Sequence, residues 1–134
     1  MTIALIAHDG KKADMVAFVM KRLDFFKKVH IVATGTTGTH VQNAGLAVKK
    51  MKSGPLGGDA QIATMITEGK VDAVIFFTDP LDVHPHQVDV SMLLRICNVY
   101  DVPLATNYNT ARLLLAGLQQ ETAWETNGIT NKSN

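Results

Sequence analysis

The residues best suited to chemistry in this 134-residue chain are gathered in four short polar stretches. In chain order they are His8-Asp9-Gly10-Lys11-Lys12, Thr34-Gly35-Thr36-Thr37, Ser53-Gly54-Pro55-Leu56-Gly57-Gly58-Asp59, and Thr78-Asp79-Pro80 continuing through His86 to Asp89. Hydroxyls, glycines and a lysine can hold a phosphate, while carboxylates and histidines can move protons. The set therefore indicates acid–base chemistry on a small phosphorylated ligand.

The second stretch places three hydroxyls and Gly35 at the start of a predicted helix. Free backbone N–H groups and the helix dipole attract anions at such a position, which favours a phosphate cradle. A polar turn whose threonines cap the helix is the alternative. Lys12 could add a point charge for the same phosphate, or it could be an ordinary exposed lysine.

The third stretch has three glycines in the five positions 54–58, which permits close approach of its backbone to a ligand. It matches neither the dinucleotide motif G-x-G-x-x-G nor the Walker motif, so a small phosphorylated ligand fits better. Asp59 is the candidate base, because a carboxylate in a mostly dry pocket beside a cation can remove a proton next to a carbonyl. Capping of the following helix is its alternative role, and the two roles can coexist.

The fourth stretch contains His84-Pro85-His86 and Asp89. A histidine can polarise a carbonyl and pass protons between oxygens, while a nearby carboxylate fixes its tautomer. Asp89 could hydrogen-bond His86 if a helix begins there, whereas His84 has the character of a surface loop histidine. A metal site built from these histidines, His8 and the aspartates is the competing interpretation, but no compact ligand motif such as H-x-x-x-H is present. We therefore predict neither a metal nor a cofactor.

Alternating apolar runs and helical patterns predict an α/β fold of the Rossmann-like three-layer type, with a five-stranded, mainly parallel sheet flanked by helices. The predicted strands are residues 2–7, 29–33, 47–51, 71–77 and 102–105. The predicted helices are one core-facing helix over residues 15–26, a weaker one over 37–46, and helices over 59–67, 89–99 and 110–118. Each polar stretch follows a strand, and the carboxyl ends of parallel strands share one edge of the sheet. The four stretches are therefore expected to face one ligand.

Composition is that of an ordinary globular domain, with 46% hydrophobic and 19% charged residues. We expect residues 1–134 to form a single domain whose polar end, residues 126–134, is frayed. The 13 basic and 12 acidic residues nearly balance and the lysine pairs are scattered, so nucleic acid is not expected as a partner. Because no apolar run suits a membrane span or a signal peptide, we predict a cytoplasmic protein without membrane contact. The single cysteine, Cys97, is predicted to be buried.

Taken together, these residues resemble the methylglyoxal synthase family over about residues 3–107. The matching strings are Ala7-His8-Asp9 with Lys12, Ala33-Thr34-Gly35-Thr36-Thr37-Gly38, the whole third stretch, Asp79-Pro80-Leu81, Pro85-His86 with Asp89, and Pro103-Leu104-Ala105-Thr106-Asn107. Each string is short, but their order and spacing together are highly specific.

The resemblance implies a methylglyoxal-synthase-like fold and a carbon–oxygen lyase that converts dihydroxyacetone phosphate to methylglyoxal and inorganic phosphate through an enediolate. It implies that Asp59 is the catalytic base, that His86 together with Asp89 interacts with the substrate's oxygens, and that His8 lines the site. The residues implied to hold the phosphate are Lys12, Thr34, Gly35, Thr36, Thr37, Ser53 and Gly54.

The family likeness further implies a metal-free homohexamer of the glycolytic bypass that inorganic phosphate inhibits. Some relatives bring an arginine near the C-terminus toward a neighbouring subunit's phosphate. Here only Lys132 follows Arg112 as a cation, so a contribution across subunits is not expected from such an arginine.

Two other classes of function fit parts of the pattern. A non-catalytic regulatory module binding a phosphorylated effector, similar to domains of carbamoyl phosphate synthetase, is the main alternative, although the joint presence of Asp59, His86 and Asp89 argues against it. Isomerisation of a triose phosphate or hydrolysis of a phosphate ester is the third. Hydrolysis would usually need a metal set or an activated nucleophile, and no such motif is evident.

Overall fold

A five-stranded sheet forms the centre of the computed structural model, which describes residues 1–82 and 90–126. The strands are β1 (Thr2–Ala7), β2 (His30–Ala33), β3 (Val48–Lys50), β4 (Ala73–Phe77) and β5 (Leu104–Ala105). They lie in the order β3-β2-β1-β4-β5, and each neighbouring pair is parallel. The predicted α/β class and the number of strands are confirmed. The predicted strands differ from the observed ones only at their ends.

Six helices flank the sheet in the described part of the chain. They are α1 (Lys12–Met20), α2 (Leu23–Phe26), α3 (Gly35–Asn43), α4 (Gly58–Thr67), α5 (Val90–Val99) and α6 (Tyr108–Thr126). Two short 3-10 turns, Asp9–Lys11 and Gly54–Leu56, precede α1 and α4. None of the helices described is long and apolar enough to cross a membrane.

Two helix predictions need correction beyond shifts of up to three residues at helix ends. The single helix expected over residues 15–26 is split, because Arg22 leaves the helical region (φ −133°, ψ 35°). Its guanidinium donates to the Phe18 carbonyl at 3.1 Å and lies 4.1 Å from the centre of the Phe18 ring, which holds the chain in this bend. Helix α6 continues to Thr126 instead of ending at residue 118, since no glycine or proline stops it between Gly117 and that point. The rest of the predicted frayed tail lies outside the described residues.

Two hydrophobic layers, one on each face of the sheet, hold the helices in place. Successive β1 residues point to opposite faces, so that Ile3 and Leu5 pack with α1 and α3 while Ala4 and Ile6 pack with α4 and α5. Residues 3–7 of β1 and all of β4 are buried, as is typical of central parallel strands. The carboxyl ends of these two strands are thereby fixed relative to each other.

The predicted burial of Cys97 is confirmed: it is 1% exposed in the layer beneath α5. Burial raises the pKa of the Cys97 thiol above its ordinary value. The folded protein then holds the thiol proton more tightly than the unfolded chain does. The free energy of unfolding should therefore fall as the pH rises above about 8.5, by at most about 1.4 kcal/mol per pH unit.

Urea unfolding of the native chain and of Cys97→Ala between pH 7.5 and 10 tests this expectation. The variant should lose the thiol's part of the pH dependence, while the other titrating groups are common to both proteins. A thiol reagent should also modify Cys97 far more slowly in the native protein than in urea. Identical pH slopes, or native reaction as fast as that of a free thiol, would contradict the expectation.

Candidate active site

Hydrogen bonds at the carboxyl edge of the sheet tie the polar stretches to one another or to residues next to them. The Thr34 N–H donates to the Leu5 carbonyl at 3.4 Å, and the Gly35 N–H donates to the Lys52 carbonyl at 3.2 Å. On the other side of β1, the Asp79 N–H donates to Nδ1 of His8 at 2.8 Å. The first three stretches and the described start of the fourth therefore lie side by side along one edge, where open α/β sheets bind ligands.

The threonine stretch forms the first turn of α3, which begins at Gly35 instead of the predicted residue 37. Thr34 occupies the N-cap position in an extended conformation, but its hydroxyl makes no capping hydrogen bond. Thr37 is 1% exposed, and its Oγ1 has no hydrogen-bond partner among the described residues, whereas Thr36 is exposed. A buried hydroxyl at a helix N-terminus usually has a partner, so this arrangement suits an anionic ligand.

The glycine-rich stretch is packed tightly against its own backbone. A Cβ on Gly58 would lie 1.8 Å from the Lys52 carbonyl oxygen, and one on Gly35 would lie 3.0 Å from the Ser53 nitrogen. Gly57 has φ +99°, a conformation that favours glycine. At Gly35 and Gly58 the close approach is between two segments of the protein. Ser53 and Gly54 are half-buried beside the start of α3.

Asp59 lies in the first turn of α4 and is half-buried. The capping role considered for it is not observed, because Gly57 is the N-cap residue of this helix. Its Oδ1 accepts a hydrogen bond from the Ala60 N–H at 2.9 Å, and a negative charge in the first turn stabilises a helix. The carboxylate is therefore held at the helix start, directly after the closely packed Gly58.

Lys12 is the first residue of α1, and it is not the ordinary exposed lysine considered as an alternative. Its side chain is only 20% exposed, and its Nζ lies 2.7 Å from Oδ1 of Asp9, whose side chain is 81% exposed. An ammonium group has three donors, and the bond to Asp9 uses one of them. Lys12 can therefore bind a ligand oxygen beside this ion pair.

His8 follows β1 directly and is 6% exposed. Its ring lies edge-on to Phe76, with the ring centres 5.1 Å apart, and its Nδ1 accepts the Asp79 N–H described above. Its Nε2 is buried and has no hydrogen-bond partner among the described residues. Sequence reasoning missed Asp79 as a partner of His8, since a main-chain donor leaves no signal in residue type.

A fifth stretch, Thr106-Asn107 after β5, belongs to the same edge, although sequence reasoning gave it no role. The Thr106 carbonyl accepts the Thr78 N–H at 3.2 Å, which joins the β4 and β5 ends. Oδ1 of Asn107 accepts the Thr110 N–H at 2.9 Å and so caps α6. These two residues have a structural function next to the site.

The predicted site residues His86 and Asp89 lie outside the described residues, as does His84. Within residues 1–82 and 90–126, no group of three or more histidine, cysteine or acidic side chains is placed to hold a metal ion. The described part of the site thus consists of a carboxylate, a buried imidazole, a half-buried ammonium and hydroxyls at a helix N-terminus. Such a set can bind a phosphate group and move a proton on the same small molecule.

The chain is similar over most of its length to proteins named methylglyoxal synthase. The family model described as MGS-like domain matches residues 14–106. A methylglyoxal synthase from Clostridium beijerinckii is 56% identical over 116 residues, which cover 86% of this chain and 98% of that one. A methylglyoxal synthase from Thermus thermophilus is 52% identical over 121 residues, covering 90% and 96%. The crystal structure of methylglyoxal synthase from Elizabethkingia anophelis NUHP1 matches with a TM-score of 0.82 and 45% identity, over 85% of this chain and 76% of that one.

Proposed function

Because the chain belongs to the methylglyoxal synthase family, we propose that it converts dihydroxyacetone phosphate to methylglyoxal and inorganic phosphate. One observation of the site carries this proposal. Two buried polar atoms, Oγ1 of Thr37 and Nε2 of His8, have no partner among the described residues, and both belong to stretches at the ligand-binding edge. Buried polar atoms are normally paired, so both are suited to oxygens of a bound substrate.

The substrate's phosphate is proposed to bind at the start of α3. Support comes from the first turn of α3 beyond Gly35, whose own N–H donates to the Lys52 carbonyl, from the buried Thr37 hydroxyl and from the half-buried ammonium of Lys12. The full proposed set is Lys12, Thr34, Gly35, Thr36, Thr37, Ser53 and Gly54.

Asp59 is proposed to take a proton from the substrate carbon that bears the free hydroxyl, which leaves an enediolate. His8, together with His86 and Asp89, is proposed to bind the substrate oxygens on which negative charge develops. The proton of the hydroxyl on that carbon is then proposed to pass to the oxygen of the former ketone, so that the negative charge lies on the terminal oxygen. As this oxygen becomes that of an aldehyde, the π electrons expel phosphate and the carbon–oxygen bond to the phosphate breaks. The released enol takes up a proton at its terminal carbon and becomes methylglyoxal.

The seven residues proposed to hold the phosphate, here called the phosphate anchor, are proposed to decide whether the enediolate undergoes elimination or isomerisation. The π electrons can expel phosphate only when the carbon–oxygen bond to it stands out of the enediolate plane, and an isomerase holds that bond in the plane. Anchoring at the start of α3, across the Gly35–Ser53 contact from Asp59, can fix this angle. Relatives bearing the name of the lyase disfavour the regulatory module.

We further propose that the protein is a single-domain, cytoplasmic homohexamer without a metal, and that its reaction is part of a glycolytic bypass. Inorganic phosphate is the proposed inhibitor, because it is the group that the anchor binds in the substrate. Sedimentation of the purified protein tests the hexamer, and competition by phosphate against the substrate tests the inhibitor.

The activity is tested by incubating metal-stripped protein with dihydroxyacetone phosphate and following methylglyoxal and phosphate together. Equal release of both products, unaffected by a chelator, is expected. Phosphate without methylglyoxal would indicate hydrolysis, and glyceraldehyde 3-phosphate would indicate isomerisation. Saturable binding without turnover would support the regulatory module instead.

Replacing Lys12 by methionine should raise KM for the substrate about tenfold or more, with a smaller effect on kcat, because one charge-assisted hydrogen bond to phosphate is lost. Steady-state kinetics measure the change. Lys11→Met is the matched control, since Lys11 pairs with Asp14 at 3.7 Å on the outside of the same helix start. Equal KM values for the two variants would show that Lys12 does not bind the substrate's phosphate.

A further inference from the structure

The hydrogen bond between Asp79 and His8 determines the tautomer of His8 as well as the position of its ring. A backbone amide can only donate, so the 2.8 Å hydrogen bond from the Asp79 N–H requires a lone pair on Nδ1 of His8. A neutral imidazole carries one proton, which must then reside on Nε2. Nε2 is the buried atom that has no partner among the described residues.

The Asp79 N–H is itself held from both sides. Before it, the Thr78 N–H and hydroxyl donate to the Thr106 carbonyl at 3.2 and 3.4 Å. After it, Oδ1 of Asp79 accepts the Leu81 N–H at 3.0 Å, and the Asp79 carbonyl accepts the Asp82 N–H at 3.2 Å. These bonds form a local turn of the kind that aspartate favours. The direction of the Asp79 N–H is therefore set by the main chain of β4 and β5.

The ring of His8 has little freedom to turn away from this donor. Its own backbone N–H donates to the Phe77 carbonyl at 3.1 Å, which continues the β1–β4 pairing by one residue. Phe76 packs edge-on to the ring, with an angle of 87° between the two planes. A flipped ring would place Cδ2 against the Asp79 N–H and lose the bond.

We propose that the main-chain N–H of Asp79, held by the Thr78–Thr106 bonds, is a positioning group that keeps His8 as the neutral Nε2–H tautomer, so that His8 serves as a hydrogen-bond donor. The role of this donor rests on the proposed function, in which a charged oxygen develops on the substrate. A neutral imidazole stabilises that oxygen by hydrogen bonding without giving up its proton. The negative charge stays on the enediolate and can expel phosphate.

The tautomer is tested by nitrogen NMR on the intact, ¹⁵N-labelled protein without ligand. A scalar coupling across the hydrogen bond should connect the Asp79 amide nitrogen with Nδ1 of His8. The His8 ring should show a pyrrole-type Nε2 and a pyridine-type Nδ1, with its signals identified by their loss in His8→Asn. A proton on Nδ1, or the absence of the coupling, would overturn the proposal whether or not the protein turns over substrate.

The catalytic consequence is tested with a matched pair of substitutions at His8. A glutamine amide can donate from about the position of Nε2, whereas asparagine reaches only about the position of Nδ1, where it can accept the Asp79 N–H but offers no donor at Nε2. His8→Gln should keep a kcat about tenfold or more above that of His8→Asn. An asparagine variant as active as the glutamine variant, with both melting like the native protein, would overturn the donor role.

A third variant addresses Asp79 directly. Asp79→Pro removes the N–H together with the carboxylate that accepts the Leu81 N–H, so Asp79→Ala, which loses only the carboxylate, is its control. Relative to that control, Asp79→Pro should lower kcat about tenfold and shift the His8 ring nitrogens. Native kcat in a variant with the native melting temperature would contradict the positioning role. If the variant does not fold, the NMR coupling in the native chain and the comparison of His8→Gln with His8→Asn still test the proposal. An intact coupling in a protein without lyase activity would refute the proposed function and leave the tautomer assignment standing.

Discussion

Asp59→Asn is expected to lower kcat for methylglyoxal formation by about 10² to 10⁴-fold without unfolding the protein, because the variant lacks the base proposed to take the substrate proton. Asparagine has the same shape and keeps the side-chain oxygen that accepts the Ala60 N–H, so α4 should begin as in the native chain. Steady-state kinetics and thermal melting measure the two parts of this expectation.

Exchange of the substrate proton isolates the step. In D₂O the native enzyme should introduce deuterium at the hydroxyl-bearing carbon of dihydroxyacetone phosphate, and Asp59→Asn should not. Asp14→Asn is the matched control, since Asp14 is an exposed carboxylate in the first turn of α1, and its kcat should be native. Native exchange rates in Asp59→Asn would show that another group is the base.

Gly58→Ala is expected to destabilise the protein by about 3 kcal/mol or more, since the new Cβ would lie 1.8 Å from the Lys52 carbonyl oxygen and 2.8 Å from its carbon. Backbone atoms cannot rotate away as a flexible side chain can. Relief of the clash would move Lys52 and Ser53 away from α4, and with them the contact to Gly35. Both Asp59 and the phosphate anchor would shift, so kcat/KM should fall about a hundredfold or more.

The control for this substitution lies in α6. A Cβ on Gly117 would have no atom within 4 Å, so Gly117→Ala should stabilise the protein by about 1 kcal/mol through helix propensity alone. Urea unfolding of both variants, with activity measured on the same samples, makes the comparison. Similar unfolding free energies for the two variants would show that the Lys52–Gly58 contact does not constrain the chain.

The fold could be predicted because its strands and helices leave patterns of apolar residues in short segments of the sequence. Strands β1 and β4 are buried on both faces, and such strands appear in a sequence as continuous apolar runs. The bend at Arg22 was missed because its cause is a contact between the guanidinium and Phe18, which residue type alone does not show. The end of α6 was missed because polar residues after 118 neither stop nor require a helix.

The candidate site could be predicted at the level of loops but not of atoms. Because ligands bind at the carboxyl ends of parallel strands, Lys12, Thr37 and Ser53 were expected at this edge of the sheet, and the structure has them there. Nothing in the sequence distinguishes Thr37, which is buried, from Thr36, which is exposed. The hydrogen bond from Asp79 to His8 and the clash-limited Gly58 depend on backbone positions, which only a three-dimensional structure supplies.

The main-chain hydrogen bonds at the carboxyl edge of the sheet affect the thermodynamics of ligand binding. Thr34, Gly35 and Asp79 are each tied through their main-chain N–H to the strand or loop beside them before any ligand arrives. Ordering a residue on binding costs about 1 to 2 kcal/mol of conformational entropy, and here folding has already ordered these residues. Phosphate should therefore bind with a small heat-capacity change and without a measurable change in backbone order in these stretches. A small ligand that offers little surface of its own can then be held firmly by a site that does not have to close around it.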